Sequence, residues 1–182
     1  AKQFGITTNI RPVDAIALGV SEVYPIEITS AYAAIANNGV LNKPQYIEQV
    51  EDRYGRVIKT FTTESSEVKD EALIYVIRDM MRSVVDEGTG RSLRWKYKFT
   101  KPIAGKTGTT NSKADAWFVG YTPKIAIGVW VGLDDPSVSL GEKQYGGTAA
   151  LPIFANTVKG IYEKKGWEGE EWEMPEDVEE LS

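Results

Sequence analysis

Lys106-Thr107-Gly108-Thr109 combines the residue types that hold an anion against a strand. Lys106 brings a cation. Thr107 and Thr109 bring hydroxyls to one face of an extended chain, and Gly108 between them removes bulk so that a second backbone can approach. At a sheet edge such a strand can bind an extended peptide ending in a carboxylate, its main chain pairing with the ligand as with an added strand. A bare Lys-Thr-Gly arises by chance in about a few per cent of chains this long, so the tripeptide by itself reads better as an ordinary strand with a polar outer face.

Other side chains narrow the chemistry. The 182 residues contain no Cys and no His, which excludes thiolate nucleophiles, disulfides, a Ser-His-Asp triad and the common imidazole zinc motifs. Proton transfer would fall to Lys or a carboxylate. Ser66-Glu67-Val68-Lys69 has the spacing of a Ser-Lys nucleophile pair, yet it sits in the polar stretch 62–70, where nothing would desolvate Lys69, and reads as a solvated loop. Asp134-Asp135-Pro136 reads as a turn rather than a metal or acid-base pair. Asp115 could pair with Lys106, although a structural place at a strand start suits it better. Trp117 and Trp130 read as core. Trp167 and Trp172 suit either a partner anchor or an arm laid over its own domain.

The elements that must position these groups follow from periodicity. Pro25 suits the first position of a helix carrying Ile28, Ala31, Tyr32, Ala34 and Ile35 on one face, and Asn37-Asn38-Gly39 ends it. Residues 46–50 and 56–61 flank Asp52-Arg53-Tyr54-Gly55 as a peripheral hairpin. Asp70 caps a helix with Leu73, Ile74, Ile77, Met80, Met81, Val84 and Val85 at helical spacing, stopped by Gly88-Thr89-Gly90. Strands are expected at about 101–110, 115–121 and 125–132, antiparallel because their connections are short. The last is apolar without alternation, the pattern of a strand covered on both faces in the middle of a sheet. Thr148 is expected to cap a final helix over 149–165.

Composition bounds the rest. The chain is 42% hydrophobic, enough for a core of single-domain size. Its net charge of −5 hides an acidic tail: residues 166–182 hold eight acids and no base, leaving +3 on residues 1–165. The body therefore has no basic stripe for nucleic acid. No apolar run is long enough to span a bilayer, and no stretch of these residues has the charged start and apolar centre of a signal peptide. A start at Ala1 without Met reads as an excerpt or processed piece.

In context the site strand becomes specific. Ala17-Leu18-Gly19-Val20-Ser21-Glu22-Val23 with Pro25, Ser30-Ala31-Tyr32-Ala33, Ala36-Asn37-Asn38-Gly39-Val40, Val50-Glu51-Asp52 with Gly55, Val85-Asp86-Glu87-Gly88-Thr89-Gly90, and 105–110 with 115–123 together resemble the C-terminal half of the transpeptidase domain of class A penicillin-binding proteins. Tyr24 stands where that family usually has a Thr. The resemblance implies an α+β fold, an antiparallel sheet sandwiched by helices as in the β-lactamase-like enzymes, with residues 1–165 as the C-terminal part of the domain and 166–182 as an acidic tail.

It further implies a serine acyltransferase that cross-links peptidoglycan stem peptides and is acylated by β-lactams, without metal or cofactor. By resemblance Lys106 is the catalytic cation, Thr107, Gly108 and Thr109 bind substrate, and the Thr109 N–H forms half of the oxyanion hole. The family's Ser-x-x-Lys and Ser-x-Asn motifs have no fitting counterpart in these residues. The N-terminal part of the same domain, carrying the nucleophile, is therefore an expected partner, and it or another cover should shield the edge of strand 125–132. A membrane anchor and glycosyltransferase domain would also lie upstream, placing the domain on the extracytoplasmic face of the bacterial membrane. A serine β-lactamase or β-lactam sensor, and a non-catalytic peptide-binding fragment, are the alternatives.

Overall fold

A computed structural model describes residues 1–10, 12–176 and 178, and of residues 17 and 18 the backbone alone. Asp177, Glu179 and Glu180 of the acidic tail lie outside the described residues. In chain order the elements are α1 (Pro25–Ala36), β1 (Val40–Asn42), β2 (Gln49–Glu51), β3 (Val57–Thr60), β4 (Ser65–Glu67), α2 (Glu71–Asp86), α3 (Ser92–Trp95), β5 (Ala104–Thr109), β6 (Asp115–Tyr121), β7 (Ala126–Gly132) and α4 (Leu151–Lys165). Short 3-10 turns precede α1, and a π turn, Gly146–Ala150, leads into α4. The order is mixed α and β, with a three-stranded antiparallel sheet β5-β6-β7 between helices.

The helix boundaries follow local chemistry. Pro25 opens α1, where its missing N–H costs nothing. The Asp70 side chain caps α2 by accepting from the Leu73 N–H at 2.9 Å. Tyr24 precedes α1 without any side-chain cap. The final helix differs from expectation. Thr148 does not cap it but lies inside the π turn, where its hydroxyl accepts from the Tyr145 N–H at 3.0 Å and donates to the Lys143 carbonyl at 2.7 Å. The extra turn swings residues 145–148 back toward the sheet before α4 begins.

Two cores lie on opposite faces of the sheet. On one, Leu93, Ile103, Phe118, Leu151, Phe154 and Val158 are fully buried, and Phe118 meets Phe154 edge to face at 4.7 Å. Side chains of this kind contribute roughly 1.5–3 kcal/mol each. On the other face, Ile35, Ile74, Ala104 and Tyr121 join α1 and α2. Burial raises the Tyr121 pKa, so its hydroxyl stays protonated and donates to Met81 Sδ at 3.2 Å.

The α2 stripe is rotated from the expected one. Ile74, Arg78 and Val85 are buried, whereas Leu73 and Met80 are exposed. A buried cation in a helix face is unfavourable unless it is met by partners. Arg78 donates to Asn38 Oδ1 at 2.8 Å, and its guanidinium lies 5.0 Å from the Trp172 ring and 5.3 Å from that of Tyr75. Desolvation lowers its pKa from the ordinary value. Trp172 thus belongs to an arm on its own domain: its indole donates to the Ala36 carbonyl at 2.9 Å, Lys124 pairs with Glu170 at 2.6 Å, and Trp167 stacks edge to face on Tyr162.

Strand placement meets one expectation and corrects others. β6 is the buried middle strand of the three, and β7, like β5, lies at an end of the sheet, without a second strand neighbour among the described residues, as expected of a strand whose neighbour belongs to another part of the domain. Its unbroken apolar pattern reflects α1 on one face and the α4 core on the other, which bury its side chains in part and leave its outer main-chain edge open. Trp130 on this edge is 43% exposed and is not core. Ser65–Glu67 forms an exposed strand paired with Val40–Asn42, so Ser66 lies on a strand, while Lys69 lies beyond it in an exposed bend as expected. The hairpin forms as expected over shorter strands, β2 with β3. Asp135 accepts from Ser137 in the turn expected at 134–136.

Candidate functional site

The Lys-Thr-Gly-Thr run occupies the second half of β5, which pairs with β6 along one side only among the described residues. The Thr110 N–H donates to the Asp115 carbonyl at 3.2 Å, so Thr110 faces β6. Amide direction alternates along a paired strand, and the N–H and C=O groups of Thr109 and Thr107 therefore face the outer edge. Lys106 lies on the opposite face from the two Thr side chains and curls back to this edge, donating from Nζ to the Thr107 carbonyl at 3.1 Å. Lys106 has no ion-pair partner among the described residues. Asp115 is engaged elsewhere, accepting from the Trp130 indole at 2.8 Å.

Two loops complete the wall. The first runs from the end of α2 to β5 and is held by Arg94, which pairs with Asp86 at 2.7 Å and donates to the carbonyls of Phe99 at 2.9 Å and Lys101 at 2.8 Å. At its head a Cβ on Gly88 would lie 2.9 Å from the Val84 backbone, so only glycine allows the chain to turn this tightly off α2. Thr89 is thereby placed with its Oγ1 2.7 Å from Thr107 Oγ1.

The second loop, 139–148, is tied to the β5–β6 turn by Lys113, whose Nζ donates to the Glu142 carbonyl at 3.2 Å. It brings the Gly146 N–H to Thr109 Oγ1 at 3.0 Å. A Cβ on Gly146 would collide with the carbonyl oxygens of Trp117 and Gly108.

The structure thus gathers Lys106, Thr107, Gly108 and Thr109 at one edge and leaves Ser66, Lys69, Asp115, Asp134 and Asp135 outside the contacts that shape it. Sequence reasoning missed Thr89, which reads as part of a helix stop, and Gly146. The glycines flanking Thr89 and the Gly146-Gly147 pair were the available signals. The arrangement is an open wall rather than an enclosed pocket. Two shallow hollows lie elsewhere, one between 70–72 and 173–176, the other between 98–101 and the end of α4. The hydroxyls and outward-facing amides at β5 offer an anionic peptide end hydrogen bonds along an extended strand, whereas the first hollow is lined by carboxylates and the second mixes lysines with Glu163 and Glu168. Chemically, the wall can bind a carboxylate and direct an N–H at a carbonyl oxygen, but it contains no activated nucleophile.

A family model described as the penicillin binding protein transpeptidase domain matches residues 5–159. Penicillin-binding protein 1A of Aquifex aeolicus is 40% identical over 167 residues, covering 92% of this chain and 22% of that protein. Penicillin-binding protein 2D of Bacillus subtilis is 37% identical over 169 residues, covering 88% and 24% respectively. The chain thus spans less than a quarter of the length of these relatives. Among solved structures, penicillin-binding protein 1A of Haemophilus influenzae superposes with a TM-score of 0.88 at 23% identity, over 96% of this chain and 31% of that one. The PonA1 protein of Mycobacterium tuberculosis in complex with penicillin V superposes with a TM-score of 0.83 at 26% identity, over 97% and 51%.

Proposed function

The chain belongs to the penicillin-binding protein transpeptidase family, and on that premise we propose that it supplies the substrate-binding wall of a serine D,D-transpeptidase acting on peptidoglycan stem peptides. The observation that carries this reading is the outer edge of β5, where main-chain groups and the Thr107 and Thr109 hydroxyls converge. The stem peptide lies along this edge as an added strand, with its terminal carboxylate on the two hydroxyls. The Thr109 N–H, together with the N–H of the nucleophile, receives the oxygen of the attacked carbonyl as it gains charge. Lys106 adds a positive field at the same place and assists proton movement.

The serine comes from outside these residues. It attacks the carbonyl between two terminal D-alanines, its proton passes to the departing D-alanine amine, and an amine of a neighbouring stem then displaces the serine to form the cross-link, its lost proton returning to the serine oxygen. A β-lactam acylates the same serine. Residues 1–165 are assigned to this domain and 166–182 to its acidic tail. The unpaired edge of β7 takes a strand from the part of the domain that carries the serine, since a bare apolar edge invites aggregation.

Among the described residues no helix is long and apolar enough to cross a membrane. A cell-envelope location fits the substrate, and attachment to the membrane would come through a segment outside this chain.

Labelling with a fluorescent penicillin tests the reading. The full-length protein should label and keep its label for many minutes, whereas rapid release of hydrolysed drug would identify a β-lactamase. These 182 residues alone should not label. Labelling of the isolated chain that disappears in Ser66→Ala would overturn the assignment of the serine to another segment.

A further inference from the structure

We infer that Thr89 is a positioning residue that makes β5 selective for a free carboxylate, by donating its hydroxyl proton to Thr107 Oγ1; this rests on the binding wall proposed above. Thr109 Oγ1 accepts the Gly146 N–H at 3.0 Å, and a hydroxyl that receives a donor directs its own single proton elsewhere. Thr109 thus keeps that proton available to donate to a ligand. Thr107 and Thr89 share one short contact of 2.7 Å in which either oxygen can donate. Once Thr107 turns its proton to an anion, the contact survives only with Thr89 as its donor.

The result is a chain of hydroxyls, Thr89 to Thr107 to ligand, beside a second donor at Thr109. Each bond in such a chain polarises the next. Alternate residues of a strand stand about 6.6 Å apart, a gap that a carboxylate bridges with one hydrogen bond of about 2.7 Å at each oxygen. Two donors without a competing acceptor favour an ionised group over a neutral ester or amide, because charge-assisted hydrogen bonds are the stronger. Thr89 touches neither the ligand nor the reacting atoms in this arrangement.

The test compares acylation of the full-length protein by benzylpenicillin, which carries a free carboxylate, and by its methyl ester. Thr89→Val should slow acylation by the acid about ten-fold, the scale of a hydrogen bond serving a charged acceptor, and change acylation by the ester less than about two-fold. Thr89→Ser should restore the wild-type preference. In a Thr107→Val background, Thr89→Val should cause no further loss. An equal loss with acid and ester, no loss with either, or additive losses in the double variant would overturn the inference while leaving the transpeptidase reading intact. A wild-type protein acylated by neither compound would overturn that reading, and the inference with it. Unchanged Tm values for the Thr89 variants, which alter an exposed side chain, would separate these effects from misfolding.

Discussion

The main-chain N–H of Gly146 donates to Thr109 Oγ1 at 3.0 Å, joining residues that lie 37 apart in the chain. The contact requires glycine, because a side chain at 146 would strike the carbonyls of Trp117 and Gly108. Gly146→Ala should therefore push the 139–148 loop off β5, destabilising the fold by about 1–3 kcal/mol, as overpacking does. Acylation of the full-length protein should fall at least about ten-fold, the scale of a lost hydrogen bond to a charged group. Normal acylation kinetics in a stable Gly146→Ala protein would show that Thr109 needs no such support.

Arg94 holds the other loop. Replacing it with Met should leave the carbonyls of Phe99 and Lys101 without their donor and free Asp86. A destabilisation of about 2–3 kcal/mol is expected, measured by urea unfolding, with Arg94→Lys recovering only part because it lacks the planar fork.

Trp172 covers the buried Arg78. Trp172→Ala should cost about 3 kcal/mol through lost packing and an exposed cation site, whereas Trp172→Phe should retain much of the stacking on Tyr121. Equal thermal stability of both variants with the wild type would mean that the arm contributes nothing to the fold.

Glu27 gives a pH signature. The hydroxyl of Thr7, followed by that of Thr8, donates to its carboxylate and holds the pKa down at about 2 from an ordinary 4.5. A carboxyl depressed in the folded state stabilises fully above its unfolded value, and that contribution disappears as pH falls from about 4.5 to about 2. Asp52 and Asp135 are also depressed, so the comparison must isolate Glu27. The stability difference between wild type and Glu27→Gln should be constant above pH 5 and shrink toward pH 2. A difference that stays flat across this range would refute the Thr7–Glu27–Thr8 clamp.

Asp115 and Lys106 are independent groups. Asp115→Asn should perturb Trp130 fluorescence, because Asp115 accepts from that indole, and should leave penicillin acylation within about two-fold of wild type. A large loss of acylation would instead place Asp115 in the charge balance of Lys106.

The amino-acid sequence by itself determined what depends on neighbours along the chain. Pro25 and Asp70 marked helix starts because cap chemistry acts within one turn. The alternation of an extended chain put Thr107 and Thr109 on one face whatever lay beside them. Short connections required β5, β6 and β7 to pair antiparallel. Tertiary structure alone decided how far the helices reach over apolar β7, leaving Trp130 on it 43% exposed. It also decided that a cation, Arg78, would occupy a helix face otherwise apolar, because the aromatic ring that receives it arrives from residue 172. The placing of Thr89 beside Thr107 and Gly146 beside Thr109 belongs to the same class. Those contacts join residues 18 and 37 apart, and local propensity carries no term for groups that meet only after two loops have closed on a finished sheet.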